Sequence, residues 1–313
     1  MKNKIAIGTW SWGVGGAAGG NVVFGNNLGV NELKPVFDAA IDNDLKLFDT
    51  AYAYANGQSE KILGLLAKNY IRKDLTISDK FTPGMQNDNA ENPIMDMLNG
   101  SLERLGTDYI DMYWIHNAAD IERWTPYIVD VVKSGKVKRI GVSNHDLEQV
   151  KRVQEILAPH GIKLDAVQNH FSLLYPASID SGLLEYSKNN DIEFFSYMVL
   201  EQGALSGKYN IDNPMPADST RGKTYNPIFS KMDNLLDLMN QIADVHQVNP
   251  AQIAVAWAIK KGTTPILGVT KLPQVSDAKL ALNIQLSDFE MKQLETAALE
   301  ANVNTKGGWE GKA

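Results

Sequence analysis

The sequence predicts an α/β fold, a (β/α)8 or TIM barrel, formed as a single domain over residues 1–313 with loops over the barrel mouth and extra helices towards the C-terminus. Three observations predict it. From Ile5 onward, short apolar runs alternate with longer stretches whose apolar residues recur at helical spacing. The short runs number eight, with no linker between them. They read as buried and lack a strict apolar–polar alternation, as strands covered on both faces do, so parallel pairing with a helix in each crossover is expected.

The first strand is Ile5 to Ile7, and residues 12–29 read as a loop over the mouth. Asn31 to Asn43 sets Leu33, Val36, Phe37, Ala40 and Ile41 on one helix face, and Leu45 to Phe48 then forms a buried strand ending at Asp49. Ser59 is the expected N-cap of a helix bearing Ile62, Leu63, Leu65 and Leu66. The strand Leu75 to Ser78 ends at Lys80. Pro93 opens and Gly106 closes the next helix, which feeds the strand Tyr109 to Ile115 and then His116. A helix around Ile121 to Lys133, the strand Val137 to Val142 and a helix opened by an Asp146 to Gln149 capping box follow. Next come the strand Ala166 to Gln168, a helix around Ile179 to Lys188 and the strand Ile192 to Tyr197. Residues 201–227, rich in Pro, Gly and Asn, interrupt the rhythm. Helices around Leu235 to Val245 and from Pro250 to Gly262 lead to the last strand, Pro265 to Leu267, which is trailed by helices near Val275 to Leu280 and Ser287 to Leu299.

Composition narrows the function classes. At 44% hydrophobic and 21% charged residues, the chain has enough apolar content for a packed core and too much for disorder. A net charge of −7 with no basic run speaks against nucleic acid and against an anionic membrane as partners. Zero Cys excludes disulfides, thiol nucleophiles and thiolate-held metals, and without a His-Glu-x-x-His pattern no metal is expected. Lys2, Lys4 and the apolar run after them imitate a secretory leader, but Gly8, Thr9, Ser11 and Gly13 break that run. The expected compartment is the cytoplasm.

An open doubly wound sheet is the structural rival. Its best support is Gly13-x-Gly15-x-x-Ala18 directly after a strand, which fits the relaxed dinucleotide fingerprint. Gly19-Gly20-Asn21 follow where an amphipathic helix would have to begin, so no helix N-terminus would face a pyrophosphate.

On the barrel reading, three consecutive strands end in Asp49, Lys80 and His116, and Tyr54 follows in the loop after Asp49. Each alone has a bland explanation as a turn cap, a solvated strand end, a packed loop residue or a satisfied core histidine. Their coincidence at equivalent strand ends reverses those odds, because barrel chemistry is built at that face. As a set they suit carbonyl chemistry. An ammonium beside a phenol lowers a pKa of about 10 and makes it a better acid. Asp49 would fix Lys80 and keep it protonated, and His116 would donate a hydrogen bond to the substrate oxygen.

The chain resembles the aldo-keto reductase superfamily, in its microbial branch, from Ile5 to Glu310. The stretches that carry the resemblance are Phe48-Asp49-Thr50-Ala51-x-x-Tyr54 with Gly57-x-Ser59-Glu60, Lys80 after its strand, Asp108 to His116, Gly141-Val142-Ser143-Asn144, Gln168-Asn169, and Gly203-x-Leu205-x-Gly207-Lys208-Tyr209. The resemblance implies a (β/α)8 barrel that reduces aldehydes or ketones to alcohols with NADPH, with NADH as the less favoured cofactor and a small-molecule carbonyl compound as substrate. It implies Tyr54 as general acid, Lys80 and Asp49 as its tuners and His116 as carbonyl orienter. It also implies that Ser143, Asn144 and Gln168 hold the nicotinamide carboxamide, with Tyr197 stacked on the ring and Trp10 and Asp49 shared with the cofactor. Leu200 to Leu205 would wrap the pyrophosphate through backbone NH groups, Gln202 among them, with Gly203 allowing close approach.

At the adenosine end stand Gly268, Thr270, Lys271 and Gln274. Thr270 replaces the basic residue common in the family, so Lys271 is left to meet a 2′-phosphate. Asn117 takes a position that relatives often fill with an aromatic residue. Trp10, Trp12, Phe24, Trp114 and Asn117 are the expected substrate-pocket residues. Trp309-Glu310 matches a family pattern with no derivable reason, and His145, His160, His170 and His246 are read as non-catalytic. Two alternatives stand beside the reductase reading: a Schiff-base lysine aldolase on the same barrel, and a regulatory subunit that senses NADPH.

Overall fold

Eight parallel strands close into a barrel in sequence order in the computed structural model, which describes residues 4–308 and 310. They are β1 (Ala6–Gly8), β2 (Leu47–Asp49), β3 (Thr76–Phe81), β4 (Met112–Ile115), β5 (Ile140–Ser143), β6 (Ala166–His170), β7 (Glu193–Tyr197) and β8 (Thr264–Gly268). Because β1 pairs with both β2 and β8, no edge is left and the open-sheet alternative is excluded. Trp309 lies outside the described residues.

Two apolar layers follow from the pleat. Met112, Trp114, Ala166 and Phe195 fill the barrel interior together with Leu47 and Ile266. Residues of opposite parity, such as Tyr113, Ile115, Val167 and Phe194, face the helices in the larger outer core. Trp114 occupies the space beside Gly141, where a Cβ would lie 2.3 Å from its ring carbons.

The helices are α1 (Gly20–Val23), α2 (Val30–Asp42), α3 (Gln58–Ala67), α4 (Pro93–Leu105), α5 (Ile121–Trp124), α6 (Ile128–Lys133), α7 (Leu147–Leu157), α8 (Ala177–Asp180) and α9 (Leu183–Asn189), then α10 (Thr220–Tyr225), α11 (Phe229–His246), α12 (Pro250–Lys260), α13 (Leu272–Ala281) and α14 (Asp288–Ala301). Several ends obey local chemistry. Asp146 and Gln149 exchange the two capping-box bonds at 2.8 Å each, and Gly106 closes α4 in the left-handed conformation.

Other segments depart from the expected elements. The helix expected over Ile121 to Lys133 breaks into α5 and α6 at Thr125-Pro126, where proline supplies no NH. The one expected over Ile179 to Lys188 breaks at Gly182, whose φ is 76°. Ser59 does not cap α3; it lies inside the helix, and its hydroxyl donates to the Thr9 carbonyl at 2.9 Å, tying α3 to the end of β1. Residues 12–29 include only the four-residue α1, and 201–227 contain α10. Among the described residues no helix is long and apolar enough to cross a membrane.

Candidate active site

The register brings the polar strand ends together. Asp49 pairs with Ser78, and Lys80 lies two residues further along β3 on the same inward side. Lys80 is fully buried and each of its three NH groups finds an acceptor. Its Nζ donates to Asp49 Oδ2 at 2.5 Å, to the Thr50 carbonyl at 2.7 Å and to Tyr54 Oη at 3.2 Å. The other oxygen of Asp49 accepts from Ser78 Oγ at 2.7 Å and from Gln168 Nε2 at 3.1 Å. Trp114, below, donates its indole NH to Ser78 at 2.6 Å.

Electrostatics separates the roles. Burial would push the Lys80 pKa down, but Asp49 and Tyr54 outweigh it and raise it, so the ammonium persists. For Tyr54 the balance runs the other way from the sequence expectation. Burial raises its pKa more than Lys80 lowers it, so the phenol keeps its proton. The His116 ring meets the Tyr54 ring edge to face, 5.9 Å between centroids. Burial and the charge of Lys80 hold the His116 pKa well below the ordinary histidine value, which makes it a neutral imidazole. Its Nδ1 sits 2.9 Å from Thr82 Oγ1. If that hydroxyl donates, the hydrogen of the ring is on Nε2.

Backbone strain concentrates in the same loops. Ala55 and Asn56 after Tyr54, Asn144 after β5, and Met198, Glu201 and Gln202 after β7 all have positive φ, a conformation that costs non-glycine residues energy and gathers at functional sites.

Of the expected cofactor residues, Ser143, Asn144, Gln168 and Tyr197 come together. Tyr197 Oη donates to Asn144 Oδ1, and Asn144 Nδ2 donates to the His116 carbonyl at 2.8 Å and to Ser143 Oγ at 3.2 Å. One N–H of the Gln168 amide goes to Asp49. The loop after β7 differs from expectation. The amides of Gly203 and Leu205 both donate to the Leu200 carbonyl, and Leu205 is buried in the core, so neither offers an outward NH. What the loop does offer is a buried Gln202 Oε1 and a buried Arg221 Nε, neither with a partner. Arg221 reaches the Gln202 carbonyl at 3.3 Å, and Lys208 lies over the Tyr209 ring. A guanidinium NH left unpaired in a buried place suits an anionic group such as a diphosphate. Arg221 was missed in the sequence because residues 201–227 show no periodicity.

At the β8 end, Gly268 pairs with Gly8, and Lys271 is exposed. Gln274 turns back: its Oε1 accepts from the amides of Thr270 at 2.8 Å and Lys271 at 3.0 Å, so it shapes this loop and its carbonyl does not point outward.

The pocket residues divide. Trp10 stacks on Tyr54 at 6.0 Å and meets Phe24 edge-on at 5.3 Å, which makes an aromatic wall beside the phenol, and half-buried Asn117 follows His116. Trp12 and Trp114 are corrections, because both are fully buried. Trp12 anchors the mouth loop by donating to the Val269 carbonyl at 3.1 Å, and Trp114 is barrel core beneath Asp49.

The chain is similar to known proteins. The family model described as "Aldo/keto reductase family" matches residues 4–298. A chloroplastic pyridoxal reductase of Arabidopsis thaliana is 28% identical, over 96% of this chain and 84% of its own. The L-glyceraldehyde 3-phosphate reductase of Escherichia coli is 27% identical, over 90% and 88%. Among solved structures, a glycerol dehydrogenase of Gluconobacter oxydans superposes with a TM-score of 0.80 at 24% identity, covering 97% of this chain and 94% of that one. An aldo-keto reductase of Klebsiella pneumoniae in complex with NADPH does so with a TM-score of 0.74 at 23% identity, covering 95% of each.

Proposed function

This chain belongs to the aldo/keto reductase family and is an oxidoreductase, and from that premise we propose that it reduces an aldehyde or ketone to the alcohol with NADPH, Tyr54 supplying the proton. One observation carries the reading. The phenol of Tyr54 and the carboxylate of Asp49 meet on the Lys80 ammonium, with the neutral His116 imidazole at their side.

NADPH, when bound, would supply the hydride for the carbonyl carbon. Tyr54 gives its proton to the carbonyl oxygen, and the Lys80 ammonium at 3.2 Å stabilises the phenolate that remains. Asp49 and the Thr50 carbonyl hold that ammonium in place. With Thr82 donating to Nδ1, His116 points an Nε2–H at the substrate oxygen and fixes its direction.

The residues present fit the cofactor. Ser143, Asn144 and the Gln168 side chain would hold the carboxamide, Tyr197 the ring face, Leu200 and Gln202 the turn beside it, Arg221 and Lys208 the diphosphate, and Lys271 the 2′-phosphate beyond Gly268 and Thr270. The unpaired Gln202 Oε1 and Arg221 Nε support this, as does the NADPH bound to the Klebsiella pneumoniae relative. The aldolase alternative needs a free amine, whereas all three NH groups of Lys80 are engaged and its pKa is raised.

The test is a fluorescence titration with NADPH and with NADH, followed by a panel of aldehydes and ketones. The expected result is saturable quenching, tighter for NADPH, and NADPH oxidation that depends on the carbonyl compound. No binding of either nucleotide would overturn the reading.

A further inference from the structure

Behind Tyr197, away from the catalytic groups, lies a second cluster of buried charge that the reaction does not use. Its hub is Glu201, fully buried and held at a φ of 47° in the strained loop after β7. Four side chains from three separate parts of the chain converge on that one carboxylate. His170 Nε2, at the end of β6, lies 2.9 Å from Oε1, and Ser172 donates to the same oxygen. Tyr225 of α10 donates to Oε2 at 2.7 Å, and Thr305 of the C-terminal segment donates to Oε1 at 3.1 Å. The other nitrogen of His170 is 2.7 Å from Glu310 Oε1, which also accepts the Gly307 amide at 2.7 Å. An imidazole that faces a carboxylate from each nitrogen satisfies both only as the cation with two NH donors.

The cluster is coupled by contact to the candidate nicotinamide shelf. The His170 ring lies between two tyrosines, stacked on Tyr175 at 4.2 Å and on Tyr197 at 5.7 Å. Tyr197 in turn holds Asn144, which holds the His116 carbonyl. Glu201 immediately precedes Gln202, whose buried Oε1 lacks a partner.

We propose that Glu201, His170 and Glu310 are positioning residues that set the shape of the 198–206 loop and the tilt of the Tyr197 ring, so that residues 302–308 and Glu310 of the C-terminal segment form part of the dinucleotide site without touching the dinucleotide. The inference rests on the cofactor reading above and extends it to residues outside the catalytic set. A carboxylate gripped from β6, α10 and the C-terminal segment leaves the loop one conformation, and left-handed Glu201 and Gln202 need such external bonds to hold them.

The charge state of His170 agrees. Burial alone would push its pKa down, but the charges and hydrogen bonds of Glu201 and Glu310 outweigh it and raise it to about 9. Of the other groups that face the cluster, Tyr175 is pushed up to about 12 and Tyr225 is raised too, so both stay neutral through that range. A folded-state pKa above the ordinary value of 6.5 contributes stability that is complete below about pH 6.5 and is lost as pH rises through about 9.

The test uses the full chain with Glu310→Gln, and Thr305→Val as a second variant that removes one hydrogen bond and no charge. Amide exchange over 198–206 and 302–308 is measured without nucleotide, alongside NADPH titration and steady-state kinetics. Glu310→Gln should speed exchange in both segments and weaken NADPH binding about tenfold, while kcat at saturating NADPH changes by less than about twofold. It should also flatten the fall in the urea midpoint between neutral pH and pH 9.5. Faster exchange confined to 302–308, with wild-type NADPH affinity in both variants, would overturn the proposal and reduce the cluster to an anchor for the tail. The exchange comparison needs no nucleotide, so it decides the coupling even for a wild-type protein that binds no NADPH, an outcome that would overturn the proposed function alone.

Discussion

In the proposed mechanism a single hydroxyl, donating to Nδ1 of His116, keeps the ring proton on Nε2. Thr82 lies two residues after Lys80, and its Oγ1 is 2.9 Å from His116 Nδ1. Thr82→Val keeps the shape and removes that partner, so the tautomer that presents Nε2–H is no longer favoured. The expected result is a kcat lower by about tenfold with NADPH affinity unchanged, read by steady-state kinetics and titration. Asp49, Tyr54, Lys80 and His116 were legible in the sequence because each terminates an apolar run or follows one closely. Thr82 was not, because a threonine just past a strand carries no signal until its neighbour is known. Trp12 and Trp114 misled for a related reason. Nearness to a strand end in sequence does not give depth, and Trp114, two residues before His116, sits one layer lower in the closed barrel.

Between elements, space is the controlling quantity. Gly141 in β5 leaves room for the Trp114 ring from β4, and an added Cβ would also approach the Ala166 carbonyl of β6 at 2.9 Å. Backbone and a buried indole cannot both give way, so Gly141→Ala should destabilise the protein by about 3 kcal/mol, read as a lower urea midpoint. Activity should fall in the surviving folded protein, because the same indole supports Ser78 and through it Asp49. The sequence specified helix ends with local caps well, as at Asp146 and at Gly106. It did not reveal the breaks at Pro126 and Gly182, since the apolar spacing on either side continues as if the helix were whole. The loop after β7 was legible as a glycine-bearing turn, but its amides turned inward because Glu201 is held from three directions, which no local pattern encodes.

At the scale of the molecule, closure of the barrel is what makes the site. Residues as far apart as Asp49 and Gln168 bond directly because β2 and β6 face each other across the interior. Eight alternating runs predicted that closure, while the role of the C-terminal segment depends on contacts made over more than a hundred residues, as between His170 and Glu310. The central claim is that these convergent groups deliver a proton to a carbonyl oxygen as hydride arrives at its carbon. The most direct measurement follows deuterium from NADPH dideuterated at C4 of the nicotinamide into the product alcohol, with the wild-type protein and with Tyr54→Phe. The account predicts one deuterium on the carbinol carbon in the wild type, and a rate lower by about 10² to 10⁴ in Tyr54→Phe at nearly unchanged NADPH affinity. Deuterium transfer by Tyr54→Phe at the wild-type rate would contradict it.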